Sequence, residues 1–241
     1  MYAFSPVGVG FIQLRKEPPD KLKNGVQRFM SRYNVVVTRT MTRLGRDRQI
    51  DVYSDGCYVR LSSLELASKE IYEKDVPGAV AELGVFRGRF AKKINEAFPD
   101  RILYLFDTFE GFDDRDVGTE KENQFSEAAV DLTDTSVDYV LSQMKFRDKC
   151  VVRKGYFPDT ANEIDDKFAF VSIDADLYLP IYEGLRFFYP RLSPGGFIFI
   201  HDYNNHEFKG AKQAVRDFCS ETNVTYFPLS DFAGSAVIVK A

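Results

Sequence analysis

The sequence predicts an α/β domain. Its mostly parallel sheet has seven strands and ends in an antiparallel hairpin; helices cover both faces, and an extension precedes it. Three observations predict this. From about residue 79 on, short apolar runs alternate with stretches of helical period, the pattern of a parallel sheet wrapped by helices. Three of those runs end in an acidic residue or His-Asp pair where the chain turns polar, at Asp107, Asp174 and His201-Asp202. The last two runs are joined only by residues 229–234, too few for a crossover helix, so they must pair antiparallel.

The chain divides at residue 60, into an extension over 1–60 and the domain over 61–241. Residues 1–60 carry 11 Lys/Arg against 5 Asp/Glu, whereas the remainder carries 21 against 31. The net charge of −4 argues against general nucleic-acid binding. The basic extension suits a substrate lid over a phosphate-bearing ligand or an arm for self-association, with a dimer the expected state. Cys57, Cys150 and Cys219 are odd in number and widely spaced, which points to reduced thiols and a cytoplasmic home. No run is long enough to span a membrane.

Within the extension, Pro18-Pro19-Asp20 is a break, residues 22–33 have the period of a short helix, and 35–37 read as a strand. Over 60–74, Leu61, Leu64, Ala67, Ile71 and Tyr72 share a helical face. Ser62 or Ser63 is the expected cap, and Glu65 or Glu70 supports the early and exposed turns. Pro77-Gly78 then delivers the chain into a first strand containing Val80, Ala81 and Leu83. Gly84 permits a turn with positive φ, and Gly88 opens a helix whose apolar residues are Phe90, Ile94, Ala97 and Phe98. Such a unit sets free backbone N–H groups beside a pocket. Further strands are expected over 102–106, 150–153, 168–173, 196–200, 224–228 and 235–239, and helices over 136–145, 179–191 and 207–221. Residues 113–123 are polar and acidic, read as a mobile lid or a solvated loop.

Ligands in such sheets sit at the carboxyl ends of the strands. The first turn reads Glu82-Leu-Gly-Val-Phe-Arg-Gly88, and Phe86 stands where a dinucleotide fingerprint has its second glycine. That substitution and the terminal hairpin disfavour an NAD-linked oxidoreductase. Asp107 follows Gly84 at the distance from which a carboxylate grips the two hydroxyls of a ribose. Asp174 and Asp176, two apart, point the same way in extended backbone, and Asp202 ends the neighbouring strand. Carboxylates from adjacent strand ends make a site for a hard divalent cation such as Mg²⁺.

Five segments together resemble one family, the macrocin O-methyltransferase-like group of class I S-adenosylmethionine-dependent methyltransferases. They are Glu82 to Gly88, Asp107 to Phe112, Gly155-Tyr-Phe-Pro-Asp-Thr160, Ile173-Asp-Ala-Asp-Leu-Tyr178, and Pro194-Gly-Gly196 leading to Asp202-Tyr203. The resemblance covers roughly residues 60 to 220. It implies a Rossmann-like fold, S-adenosylmethionine as methyl donor, and a sugar hydroxyl, in a glycan or glycosylated small molecule, as acceptor. It places Glu82, Gly84, Val85, Gly88, Asp107, Thr108, Phe109, Gly155 and Asp174 at the cofactor. It makes Asp174 and Asp202 metal ligands and Asp176 the general base. The sequence departs from the family at His201, where the sugar methyltransferases have a second aspartate. His201 could then be a metal ligand favouring softer ions, a base in a metal-free site, or a packing residue. Arg87 and Arg89 would meet an anionic substrate or face solvent, and His206 reads as a surface or capping residue. Two alternatives stay open: a phenol or catechol acceptor, and a non-catalytic nucleoside-binding protein that keeps the fold.

Overall fold

The computed structural model describes residues 48–53 and 57–241. The expected helix over 22–33 and strand over 35–37 lie outside the described residues. The elements run α1 (Tyr58–Glu73), β1 (Ala79–Leu83), α2 (Arg89–Ala97), β2 (Leu103–Asp107), α3 (Asp114–Glu122), α4 (Val137–Ser142), β3 (Cys150–Lys154), β4 (Phe168–Ile173), α5 (Tyr178–Arg191), β5 (Leu192–Ile200), α6 (Lys209–Thr222), β6 (Phe227–Pro228) and β7 (Ala236–Val239).

One seven-stranded sheet has the order β3-β2-β1-β4-β5-β7-β6. β1 pairs parallel with β2 and β4, which puts Leu83 beside both Phe106 and Ile173. β7 runs antiparallel to β5, with Ile238 opposite Ile198, and β6 pairs with β7. The expected mostly parallel sheet with a closing antiparallel hairpin is therefore the fold.

Side-chain alternation along the strands builds a core on each face. In β4, Phe168, Val171 and Ile173 join Ile181, Leu185, Phe188 and Phe218 of α5 and α6. Ala169 and Phe170, where a register shift interrupts the alternation, belong to the other side with Leu64, Ile71, Ile94 and Phe98 of α1 and α2. Ile50 and Val52 are buried on that second side.

Several expectations change. α1 starts at Tyr58 after Cys57, with no side-chain cap; Ser62 lies inside it and donates to the Val59 carbonyl. Glu65 is fully buried rather than exposed, accepting from Arg48 (2.7 Å) and from the Gln49 amide. Residues 113–123 are not a loop: Asp113 caps the Arg115 amide and α3 follows. Apolar periodicity could not announce that helix, because it is held in place by Asp116 and Glu120, both buried. β5 begins earlier than expected and β6 is only two residues long. The last long helix begins at Lys209, two residues later than expected, and His206 is exposed before it. All three cysteines are unpaired. No helix among the described residues is long and apolar enough to cross a membrane.

Candidate active site

The five strand ends from β3 to β5 open into one cleft of about 1100 Å³. Gly84, at φ +83°, makes the turn after β1, where a Cβ would lie 2.0 Å from the Asp174 carbonyl oxygen. The turn therefore packs backbone on backbone against the end of β4. The Val85 and Phe86 amides leave the turn together and donate to Oδ2 of Asp107 at 2.7 and 2.8 Å. The Phe109 amide donates to Oδ1 at 2.6 Å. Asp107 thus staples the turn after β1 to the turn after β2, in addition to lining the cleft. The reading of its sequence position foresaw only the ribose. Thr108 shapes the same bend, donating to the Gly111 carbonyl at 2.5 Å.

Glu82 is 1 % exposed, and its Oε2 has no partner. Burial, then the Asp174 carboxylate, push it well above the usual carboxylate range, against the pull of Arg60. An orphaned acceptor beside a cleft is a place for a ligand donor.

At the β4–β5 end stands a charged cluster. His201 Nδ1 lies 2.9 Å from Asp174 Oδ1 and 2.6 Å from Asp202 Oδ2. Burial works against the imidazolium, but the two carboxylates outweigh it and lift His201 to about 10. Asp174 is likewise penalised by burial, yet Arg60 and His201 hold it well below the usual range. Asp202 also accepts from Asn205 Nδ2 at 2.8 Å and is 6 % exposed. Asp176 sits at φ +58°, so its direction is not set by strand alternation as expected; it nevertheless reaches the cleft and bonds to Asp202. Burial, then Asp174 and Asp202, raise its proton affinity well above the ordinary.

The ligating atoms of Asp174, His201 and Asp202 lie within 4.8 Å of one another. Ligands about 2.1 Å from one divalent ion stand roughly 3 Å apart when adjacent, close to the spacings around His201 Nδ1. Acid is in excess at this end, so the donor set fits a cation. Two carboxylates and an imidazole suit Mn²⁺, Fe²⁺ or Zn²⁺ as well as Mg²⁺.

Of the residues expected at the site, Glu82, Gly84, Val85, Asp107, Thr108, Gly155, Asp174, Asp176 and His201 line the cleft. Asp202 stands behind His201. Gly88 faces Val140 and Met144, and Phe109 is packed in the core. Arg87 pairs with Asp134, and with Arg89 it reaches the cleft.

The sequence reading missed Arg60. Its Nη1 meets Asp174 Oδ2 at 3.0 Å and its Nη2 meets Ser172 at 3.2 Å, while the guanidinium lies 3.8 Å from the Phe90 ring centre. A signal existed: Arg60 falls four residues before Leu64 and eleven before Ile71, a cation on the buried stripe. Asp116 and Tyr156, also in the cleft wall, had no such signal.

This sheet order, with a glycine turn after β1 and acids at the ends of β2, β4 and β5, defines a Rossmann-like methyltransferase. The chain belongs to the macrocin-O-methyltransferase (TylF) family, whose model matches residues 22–240. It is an O-methyltransferase. It is 35 % identical over 174 residues to mycinamicin III 3''-O-methyltransferase of Micromonospora griseorubida, covering 66 % of this chain and 68 % of the relative. It is 27 % identical over 208 residues to 8-demethyl-8-(2,3-dimethoxy-alpha-L-rhamnosyl)-tetracenomycin-C 4'-O-methyltransferase of Streptomyces olivaceus, covering 80 % and 77 %. Among solved structures, the O-methyltransferase NovP shares the fold at TM-score 0.64 and 22 % identity, over 76 % of this chain and 80 % of that one. The calicheamicin methyltransferase CalS11 does so at 0.58 and 19 %, over 98 % and 99 %.

Proposed function

We propose that this chain transfers the methyl group of S-adenosylmethionine to a hydroxyl of a sugar or glycosylated small molecule, assisted by a divalent cation. The observation that carries the reading is the cleft itself, with the orphaned Glu82 carboxylate at its centre and the acidic cluster at one end. One relative supports a glycosylated acceptor, being named for a rhamnosyl-bearing compound.

Glu82 would receive the ammonium of the donor's amino-acid end, and the turn at Gly84 would let that end lie close to the backbone. The sulfonium supplies an electrophilic methyl, and the acceptor oxygen must approach it in line. Asp174, His201 and Asp202 would hold the cation, which would polarise the acceptor hydroxyl and offset the surrounding acid. Asp176, at the cleft end of the same cluster, would take the hydroxyl proton as the new O–C bond forms and the S–C bond breaks. Its raised proton affinity suits an acceptor of that proton, and a cation held by the neighbouring carboxylates would favour the ionised form from which a base must start. Arg60 would act through Asp174, fixing its carboxylate. Residues 1–60 are assigned to an acceptor lid or a dimerising arm, on their basic charge. The three unpaired cysteines support a cytoplasmic setting.

The test is calorimetric titration with S-adenosylhomocysteine, in EDTA and then with Mg²⁺ or Mn²⁺, followed by Asp176→Asn. Micromolar binding is expected in every condition, with turnover on a glycosylated acceptor lost in the variant. No binding at all would sink the donor assignment. Full activity of Asp176→Asn would remove the base from Asp176.

A further inference from the structure

With the donor over the turn after β1, the acceptor hydroxyl is left the β4–β5 end, where Asp176 and His201 line the cleft. The next strand in the sheet there is β7, whose Ala236 pairs with Ile200. The loop before it, residues 229–234, therefore leaves the sheet beside His201. It reaches the cleft wall at one residue, Phe232, which is 95 % exposed.

A single bare ring on a loose tip would need no explanation. This tip is braced on both sides of the ring. Asp231 accepts from the Ser235 amide at 2.6 Å and from the Ser235 hydroxyl at 2.5 Å, and the Leu229 amide donates to the Ser235 carbonyl at 2.7 Å. From below, the Asn204 amide donates to the Ala233 carbonyl at 3.2 Å and its Nδ2 to the Gly234 carbonyl at 3.1 Å. Lys212 holds Asn204 Oδ1 at 2.7 Å. Gly234 stands at φ +65°, so close to Asn204 that a Cβ would come within 2.6 Å of it. The Phe232 amide itself donates to Cys57 Sγ at 3.3 Å. That bond joins the tip to the N-cap of α1, the helix that carries Arg60 to Asp174. The ring and the Cys57 thiol together give this rim of the cleft an apolar surface rather than a charged one. The backbone beneath the ring has little freedom left to lose when an apolar group is laid on it.

We propose that Phe232 selects the acceptor by the group its sugar carries: an aromatic or otherwise apolar aglycone stacks on this ring while the sugar hydroxyl stands at Asp176. This rests on the glycoside reading above and names the part of the acceptor that reading leaves open. An acceptor whose hydroxyl reaches Asp176 meets His201 first, and what its sugar carries outward meets the loop beside His201. A sugar without such a group would reach the same hydroxyl position but leave the ring in water.

The experiment is calorimetry on the full chain saturated with S-adenosylhomocysteine. Phenyl α-L-rhamnoside and, separately, methyl α-L-rhamnoside are titrated into the wild type, Phe232→Ala and Phe232→Tyr. The wild type is expected to bind the phenyl compound about threefold to tenfold more tightly, the range of one aromatic stacking contact. Phe232→Ala should bring that ratio to within about 1.5-fold of unity and Phe232→Tyr should keep it, with S-adenosylhomocysteine affinity unchanged in both. Because the ring is almost wholly exposed, its removal leaves no cavity and the variants keep the fold. Equal wild-type affinities, or binding of neither glycoside, overturn the inference without any variant. A ratio unchanged in Phe232→Ala overturns it too, and a wild-type dimer lost in that variant would then give the ring to a subunit contact. Failure of the wild type to bind S-adenosylhomocysteine is the separate failure of the donor reading.

Discussion

Arg60→Met removes the one cation that α1 places against the acidic end of the cleft. The side chain is 10 % exposed, so water cannot readily take the guanidinium's place. Breaking one side of a buried ion pair costs about 3–5 kcal/mol; Asp174 keeps His201 at 2.9 Å and is partly open to the cleft, so the low end, about 3 kcal/mol, applies. The hydrogen bond to Ser172 adds roughly 1 kcal/mol, and the apolar methionine returns roughly 1–2 kcal/mol against Phe90. The net loss is about 2.5 kcal/mol, which for a domain of this size lowers Tm by about 5–10 °C. The assay is denaturant unfolding of the wild type, Arg60→Met, Asp174→Asn and the double variant. If the cost is the stranded Asp174 charge, the double variant recovers at least ~1.5 kcal/mol relative to the sum of the singles. Additivity within ~0.5 kcal/mol would refute the coupling and leave Arg60 as a packing residue.

Three further outcomes are expected. Gly84→Ala forces a Cβ onto the Asp174 carbonyl at positive φ; it should cost roughly 3–5 kcal/mol in unfolding experiments and weaken S-adenosylhomocysteine binding more than about tenfold in calorimetry. Asp116 is raised to about 7 by burial, from an ordinary 3.8. The folded protein therefore binds the extra proton between those values, and wild-type stability falls as pH rises from 4 to 7. Asp116→Asn should lack that slope and exceed the wild type by about 2 kcal/mol at pH 8, after allowance for solvent screening, as read from urea titrations across pH. In Gly210→Ala a Cβ would stand 2.5 Å from the Glu120 carboxylate; it should cost roughly 1–3 kcal/mol in thermal unfolding by pulling Glu120 off its amide donors.

The sheet, its hairpin and most of the cleft floor are legible in the chain alone. Buried parallel strands must be continuously apolar, and where they leave the core the chain turns polar at once, so Asp107, Asp174 and His201-Asp202 announced themselves by position. The glycine turn was equally legible, since at Gly84 no other residue fits. Which groups answer those acids depends on how the elements pack. Arg60 lies 114 residues from Asp174, and nothing local ties a helix cation to a strand-end carboxylate until the helix packs on the sheet. Asp107 was assigned to a ligand, yet three backbone amides claim it, because the turns after β1 and β2 close toward each other only in three dimensions. Helix α3 was invisible for the same reason: Asp116 and Glu120 are held by partners on other elements, Tyr156 and the amides of Tyr178 and Gly210, so no apolar period marks it. Apolar burial repeats along the chain and can be read from it, whereas polar pairing across elements is set by packing alone.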